Sequence, residues 1–299
     1  MGSKKHINVY IAALLAMVFW GMSFIWTSIV FEYYDPITTV FLRLIISTAF
    51  LFLVLLIIGK LQKIRKEHMK LLFFSALFNP FFYFLGENFG LKYSSATISA
   101  VVIATIPLLT PVAAWIIIRE KISALNILGI FISFAGILLM LVNPDFSFAT
   151  DPIGILLLFC AVISAVVYSI LLKKLTLHYS PMNIIAWQNL IGTFLFLPLF
   201  IVLEMNSFLI VEVDGRLITA LLSLAILASS MAFVLFTYTI KHLGVNRANV
   251  YSNLIPVITA IASYYLLNEI FTISKLAGII IVICGVVLTQ INKIKIKDE

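Results

Sequence analysis

No charged side chain stands between Lys121 and Asp145, and none between Asp151 and Lys173. A hydrocarbon core about 30 Å thick is crossed by roughly 20 apolar residues in helical form, so each stretch is long enough to span one. Comparable runs recur along the whole chain of 299 residues, which is 63% hydrophobic and 11% charged, with a mean hydropathy of +1.14. Those values lie far from a water-soluble composition, and the chain reads as an all-α integral membrane protein. With charges, Pro and Gly as punctuation, ten transmembrane helices are expected, at roughly 8–31, 37–59, 70–91, 94–118, 123–142, 152–172, 181–203, 217–240, 246–267 and 273–291. The first follows Lys4 and Lys5 and is expected to stay as an uncleaved helix. Short connections leave no room for a soluble domain.

Charge placement orients these spans. With the N-terminus inside, sixteen Lys and Arg fall on cytoplasmic segments, and Lys92, Arg216 and Lys275 fall outside. The remaining basic residue, Arg43, lies within a span. That asymmetry predicts a multi-pass protein of the inner (plasma) membrane with both termini cytoplasmic. It also accounts for the net charge of +7 without nucleic acid as a partner. His6, His68, His178 and His242 all fall at the cytoplasmic surface, so no His-built catalytic or metal site is expected inside the membrane. Cys160 and Cys284 sit in apolar runs without ligand-type spacing, and no cofactor is implied.

The chain writes one helix twice. "IPLLTPVAAWIIIRE" from Ile106 and "IPVITAIASYYLLNE" from Ile255 align at an offset of 149 residues (256 − 107). At that offset Lys92/Lys241, Val101/Val250, Thr110/Thr259, Ala113/Ala262, Glu120/Glu269, Gly129/Gly278 and Gly136/Gly285 coincide. "RLIISTAFLF" from Arg43 matches "QNLIGTFLFL" from Gln188 more weakly. Residues 1–143 and 144–299 are thus expected to be two five-helix repeats. Five is odd, so the second enters the membrane inverted, an arrangement that places a binding site between the halves near the midplane.

At this point the sequence resembles the drug/metabolite transporter superfamily, of the ten-helix EamA type. "GLKYSSATISAVVIATIPLLTPVAAWIIIREKISALNILGIFISFAGILL", its second copy from "IKHLGVNRANVYSNLIP" to "AGIIIVICGVVL", "FWGMSF" in the first span and Arg43 carry the resemblance. It implies a basket of two inverted repeats around a central cavity lined mainly by helices 1, 3, 4, 6, 8 and 9.

Polar residues inside a membrane usually face protein or a water-filled cavity. Asn246, Asn249, Asn253 and Pro256 share one face of the ninth span. Their counterparts Thr97, Ala100, Ala104 and Pro107 are small and nearly apolar. Pro107 and Pro256 either kink their helices to shape the basket or act as hinges, and the two readings are compatible. Asn79, Tyr83 and Glu87 share a face of the third span. Glu87 is the acidic residue placed within a span, at a depth comparable to Arg43. It is either a structural partner of Arg43 or a protonatable group coupling transport to protons. Trp20 and Ser23 are cavity candidates through the resemblance. Ser164 with Tyr168, and Ser229 with Ser230, are further candidate substrate contacts, although small residues also serve close helix packing. Gly129/Gly136 and Gly278/Gly285 mark packing faces, within the chain or between protomers. Trp115 is expected to pack or face lipid.

These features predict a secondary transporter of a small metabolite. No Walker motif is present for nucleotide-driven pumping. Phosphate recognition recruits several Arg or Lys, and Arg43 alone is intramembrane. A neutral or zwitterionic solute such as an amino acid fits, moved outward by family analogy. A facilitative, proton-independent carrier is the alternative. An intramembrane enzyme lacks clustered catalytic groups, and a channel lacks a continuous polar pore. The partners expected are the solute, the bilayer and at most a weak homodimer.

Overall fold

The structure is a computed structural model and describes residues 2–118, 124–141, 150–270 and 272–295. Within helices it leaves aside the side chains of 2–6, Pro111, 114–118, Asn126, Leu141, Asn246 and 289–295. Glu120 and the side chains of His6, Trp115 and Asn246 therefore lie outside what is described.

Every described element is helical. The helices are α1 (Gly2–Val30), α2 (Pro36–Ile57), α3 (Lys66–Lys92), α4 (Ala96–Ile103), α5 (Ile106–Ile118), α6 (Ala124–Leu141), α7 (Pro152–Leu175), α8 (Pro181–Phe208), α9 (Gly215–Leu243), α10 (Val245–Val250), α11 (Leu254–Leu266) and α12 (Ile273–Lys295). Six of these, in α1, α2, α3, α7, α8 and α9, are long and apolar enough to cross a membrane. The stretches expected as spans at 94–118 and 246–267 are each broken in two. The starts are written locally. Pro36, Pro152 and Pro181 stand in first turns, where a missing N–H costs nothing. Asp151, Ser180 and Asp214 cap α7, α8 and α9 by accepting from backbone N–H groups one turn in.

The two breaks fall close together under the repeat, meeting at Ala104 and its mate Asn253. The chain leaves helical form at Ala104–Thr105 and tightens to a 3₁₀ turn at Tyr251–Asn253. Pro107 and Pro256 each fall in the first turn of the segment that follows. First-turn proline has few interior hydrogen bonds to remove, and the backbone stays right-handed at Val250, Tyr251, Asn253 and Leu254, so Pro256 follows a tightened turn rather than a full break.

Helices α6 and α12 pack antiparallel within this one chain. A Cβ built on Gly278 would lie 2.8 Å from the Gly136 carbonyl, and one on Gly285 would lie 2.7 Å from that of Gly129. Ser133 donates to the Val282 carbonyl at 3.2 Å, midway along the crossing. The glycines that sequence left open to a contact between protomers are thus used inside the chain.

Apolar residues cover the outside. Val202, Phe131 and Leu156 are 78%, 70% and 65% exposed. The interior holds Ala13, Ala16 and Met17 of α1 with almost no exposure. That outward apolar surface suits lipid rather than water.

Polar ties close the two ends. At one end, Arg216 pairs with Glu32 at 2.8 Å, Tyr33 donates to Asp214 at 2.7 Å, and Lys92 pairs with Asp35. There the Glu204 carboxylate accepts from the N–H groups of Ile37 (3.2 Å) and Thr38 (2.6 Å) at the start of α2. At the other end, the Tyr179 hydroxyl accepts from the Arg65 N–H at 3.0 Å and meets His68 Nδ1 at 2.9 Å, and His68 stacks on His178 at 4.2 Å. The Leu217 N–H, then the Tyr33 hydroxyl, hold the Asp214 carboxyl below its usual range.

Candidate functional site

A cavity opens between α1, α3, α4, α5, α7, α9, α10 and α11. Of the residues expected there, Trp20, Ser23, Asn79, Tyr83, Glu87, Tyr168 and Asn249 line it together. Aromatic rings dominate: Trp20, Phe24, Tyr83, Tyr168, Phe233 and Phe236. The Trp20 indole packs edge-on against Phe233 and Phe236, with centroids 4.9 and 4.8 Å away.

Glu87 is the charged side chain among these lining residues. Tyr83, one turn earlier, donates to its Oε1 at 2.6 Å. Arg43 stands behind it, outside the lining, with Nη1 3.9 Å from Oε2. The guanidinium is held independently: Nε donates to Ser229 at 2.8 Å, and its carbon lies 4.1 Å from the centroid of the Phe84 ring. Arg43 is 2% exposed. A buried ion pair of this kind compensates its own charges, so the cavity wall is close to neutral.

The sequence treats Asn79, Tyr83 and Glu87 as one regular helical face. The structure brings all three to the cavity by another route. Asn79 leaves helical conformation (φ −147°, ψ 118°) inside a π-helical turn over Leu77–Phe82, and only Tyr83 and Glu87 keep the one-turn relation.

Four candidates stand elsewhere. Ser164 faces a separate apolar groove beside Phe78, Phe82 and Cys160, and donates to the Phe78 carbonyl at 2.7 Å. Ser229 accepts from Arg43, and Ser230 donates to the Ala225 carbonyl and shares a 2.6 Å contact with Ser47. Asn189 joins them, donating to Ser47 at 2.7 Å and to the Ser229 carbonyl at 3.2 Å. These serines form a buried polar layer between α2, α8 and α9. The cause is a π-helical stretch over Ser223–Ala232, which rephases α9 so that Phe233 and Phe236 reach the cavity instead. Asn253 is not among the lining residues, because the 3₁₀ turn at Tyr251–Asn253 interrupts the asparagine stripe after Asn249.

Ser169 and Ser252 also line the cavity, beyond the residues expected from sequence. Ser169 adjoins Tyr168, and Ser252 is one turn past Asn249. Both donate to backbone carbonyls of their own helices, which lets a hydroxyl sit in an apolar wall.

Glu269, the second-copy mate of Glu120, is a tie rather than a lining group. It accepts from Ser95 at 2.7 Å, Thr97 at 2.8 Å and Lys275 at 3.1 Å. Burial pushes its carboxyl upward, and the hydrogen bonds and Lys275 outweigh that, leaving it below its ordinary value. Among the described residues, no group of three or more His, Cys, Asp or Glu gathers as a metal site would need.

Residues 7–142 and 152–291 each match the EamA-like transporter family. An uncharacterized transporter of Archaeoglobus fulgidus is 27% identical over 277 residues, covering 93% of this chain and 96% of the relative. The uncharacterized transporter YetK of Bacillus subtilis is 25% identical, with 97% and 89% covered. One solved protein structure shares the fold, with a TM-score of 0.69 at 17% identity over 95% of this chain and 98% of that one. The chain belongs to the EamA-like transporter family and is a multi-pass membrane protein.

Proposed function

We propose that this family member is a secondary transporter that exports a small neutral or zwitterionic metabolite, such as an amino acid, by alternating access. The carrying observation is that one cavity draws its walls from both family segments. Trp20, Ser23, Asn79, Tyr83 and Glu87 come from the first, and Tyr168, Phe233, Phe236 and Asn249 from the second. In this reading ten helices form two inverted five-helix repeats, 1–143 and 144–299, that rock about the cavity. The break at Ala104–Thr105, the 3₁₀ turn that ends at Asn253 (the mate of Ala104 at the 149-residue offset) and the Ser133–Val282 contact, also 149 apart, support that symmetry. Both termini lie in the cytoplasm, at the inner membrane.

The near-neutral wall sets the cargo. An anion or cation would enter with uncompensated charge at low dielectric, whereas a neutral or zwitterionic solute would not. Aromatic rings supply apolar contact. Glu87 is the candidate proton-coupling group, with Arg43 as its counter-ion.

The test is counterflow in proteoliposomes with a panel of labelled amino acids and uncharged metabolites. Exchange that depends on internal solute is expected. Absence of exchange across the panel defeats the reading. A Glu87→Gln variant that keeps full pH-gradient-driven uptake leaves a facilitative carrier and removes proton coupling at Glu87.

A further inference from the structure

Most polar groups in the cavity wall are already spent inside the protein. Ser23 donates to the Trp20 carbonyl, Tyr83 to Glu87, Tyr168 to Gln188, Ser169 to the Ala165 carbonyl, Ser252 to the Asn249 carbonyl, and Asn249 to Thr110. Among the described lining residues, two donor groups are left over. The Trp20 indole N–H is buried without a partner, and the Asn79 amide, on a residue 5% exposed at the cavity wall, makes no hydrogen bond although its atoms are not sealed from the cavity. Buried polar groups are almost always satisfied, so the orphaned indole N–H, beside an unbonded amide on the same cavity, points to a missing partner.

The chain around Asn79 is built to present that amide. On one side, the Phe78 carbonyl accepts from Ser164 of α7 at 2.7 Å. On the other, Pro80 is seated on α8 at Gly192, where an added Cβ would lie 2.3 Å from the proline ring. Between the two pins Asn79 takes its extended conformation, and its side chain turns to the cavity. Both pins come from the second family segment, so the presentation depends on the halves being docked as they are here. This also gives Ser164, which stands off the cavity, a role.

We infer that Asn79, framed by Ser164 and Gly192, is the specificity-determining residue of the cavity, reading a carboxyl- or carboxamide-type group of the cargo with the Trp20 indole N–H as second donor. This rests on the cavity being the transport site. An amide offers a donor and an acceptor side by side, which matches a group carrying both or a carboxylate beside an ammonium. A site built to hydrogen-bond such a group rejects analogues that lack it, because its own buried groups are then left unpaired.

Two experiments test it. In counterflow, the probes are L-leucine and L-phenylalanine and their decarboxylated amines, isoamylamine and phenethylamine. The wild type should prefer the amino acids. Asn79→Ala should raise their KM about tenfold, the weight of one hydrogen bond to a charged group, and shrink the preference by the same factor, leaving the part that comes from the net charge of the amines. Gly192→Ala, which displaces Pro80 without touching the amide, should raise KM in the same direction. An unchanged KM and preference in Asn79→Ala, or a loss confined to maximal rate for all probes alike, overturns the inference. The second experiment needs no cargo. In a Cys160→Ser, Cys284→Ser background, Asn79→Cys should react with a small water-borne methanethiosulfonate at the rate of Ser23→Cys, and Phe78→Cys should not. An unreactive residue 79 beside a reactive residue 23 overturns the inference. If the wild type exchanges none of the four probes, an amino acid exchanged in the wider panel and its decarboxylated amine replace them, and if the panel holds none the amino acid reading under Proposed function falls. The reactivity experiment then decides the presentation of position 79 by itself.

Discussion

Glu87→Gln removes one partner of the buried pair and leaves the Arg43 cation behind it. At 3.9 Å and an effective dielectric of about 20, the attraction lost is about 4 kcal/mol. Arg43 keeps its Ser229 hydrogen bond and the Phe84 face, so the net loss should be smaller, about 2–4 kcal/mol. In a chain of this size that corresponds to a fall of about 5–10 °C in apparent Tm, read by thermal unfolding of the purified protein in detergent. The converse variant, Arg43→Met, should behave differently. A lone carboxylate can neutralise itself by taking up a proton, and a guanidinium cannot. The Arg43→Met loss should therefore shrink as pH is lowered, while the Glu87→Gln loss should not. The double variant should be more stable than the sum of the single losses predicts. Additive losses, or a Glu87→Gln melt equal to wild type, would refute the pairing and leave Arg43 a residue anchored by Ser229 and Phe84 alone.

Gly285→Ala places a Cβ 2.7 Å from the Gly129 carbonyl, so α6 and α12 must part by about 0.7 Å to regain ordinary contact, at about 1–3 kcal/mol. Gly215→Ala, with nothing within 4 Å, should be neutral or gain up to about 1 kcal/mol of helix propensity, and comparing the two melts separates packing from propensity. The Glu269 carboxyl is held below its ordinary 4.5, so its contribution is fully present above about pH 4.5 and is lost as pH falls through the lower folded value. Melts between pH 3 and 6 should show that acid loss in the wild type and a flatter profile in Glu269→Gln. Tyr179→Phe removes the acceptor of the Arg65 N–H and the partner of His68, and should cost about 1–2 kcal/mol in the same assay.

The elements were legible in the sequence because membrane helices are written in coarse signals. Charge-free runs, capping residues and proline at first turns bound α2, α7 and α8 within a few residues of expectation. The repeat was legible as well, because identical residues at one offset do not depend on knowing which way a side chain points. The glycines show where that stops. Their spacing marked packing faces on α6 and α12 but left the partner open, since a small-residue stripe fits any close-approaching helix. The partner became definite only when Gly129 met Gly285 and Gly136 met Gly278.

The site was legible up to the places where helical phase changes. Grouping residues four apart assumes 3.6 residues per turn throughout, and three cavity helices break that rule. In α9 the π-helical stretch turns Ser229 and Ser230 into a buried layer and brings Phe233 and Phe236 round. In the ninth expected span the 3₁₀ turn keeps Asn249 in the wall and takes Asn253 out of it. In α3 the irregularity leaves the expected grouping standing, with Asn79 reaching the cavity beside Tyr83 and Glu87 from an extended residue inside a π-helical turn. Of these three, α3 carries a local sequence mark, the proline directly after Asn79. An asparagine before proline is biased away from helical conformation. Inside a membrane that bias is tolerable only where neighbours take up the freed backbone groups, as Ser164 does for Phe78. An Asn-Pro pair in an apolar span is therefore a stronger pointer to a cavity than a stripe of polar residues, because it requires partners from other helices as well as a face.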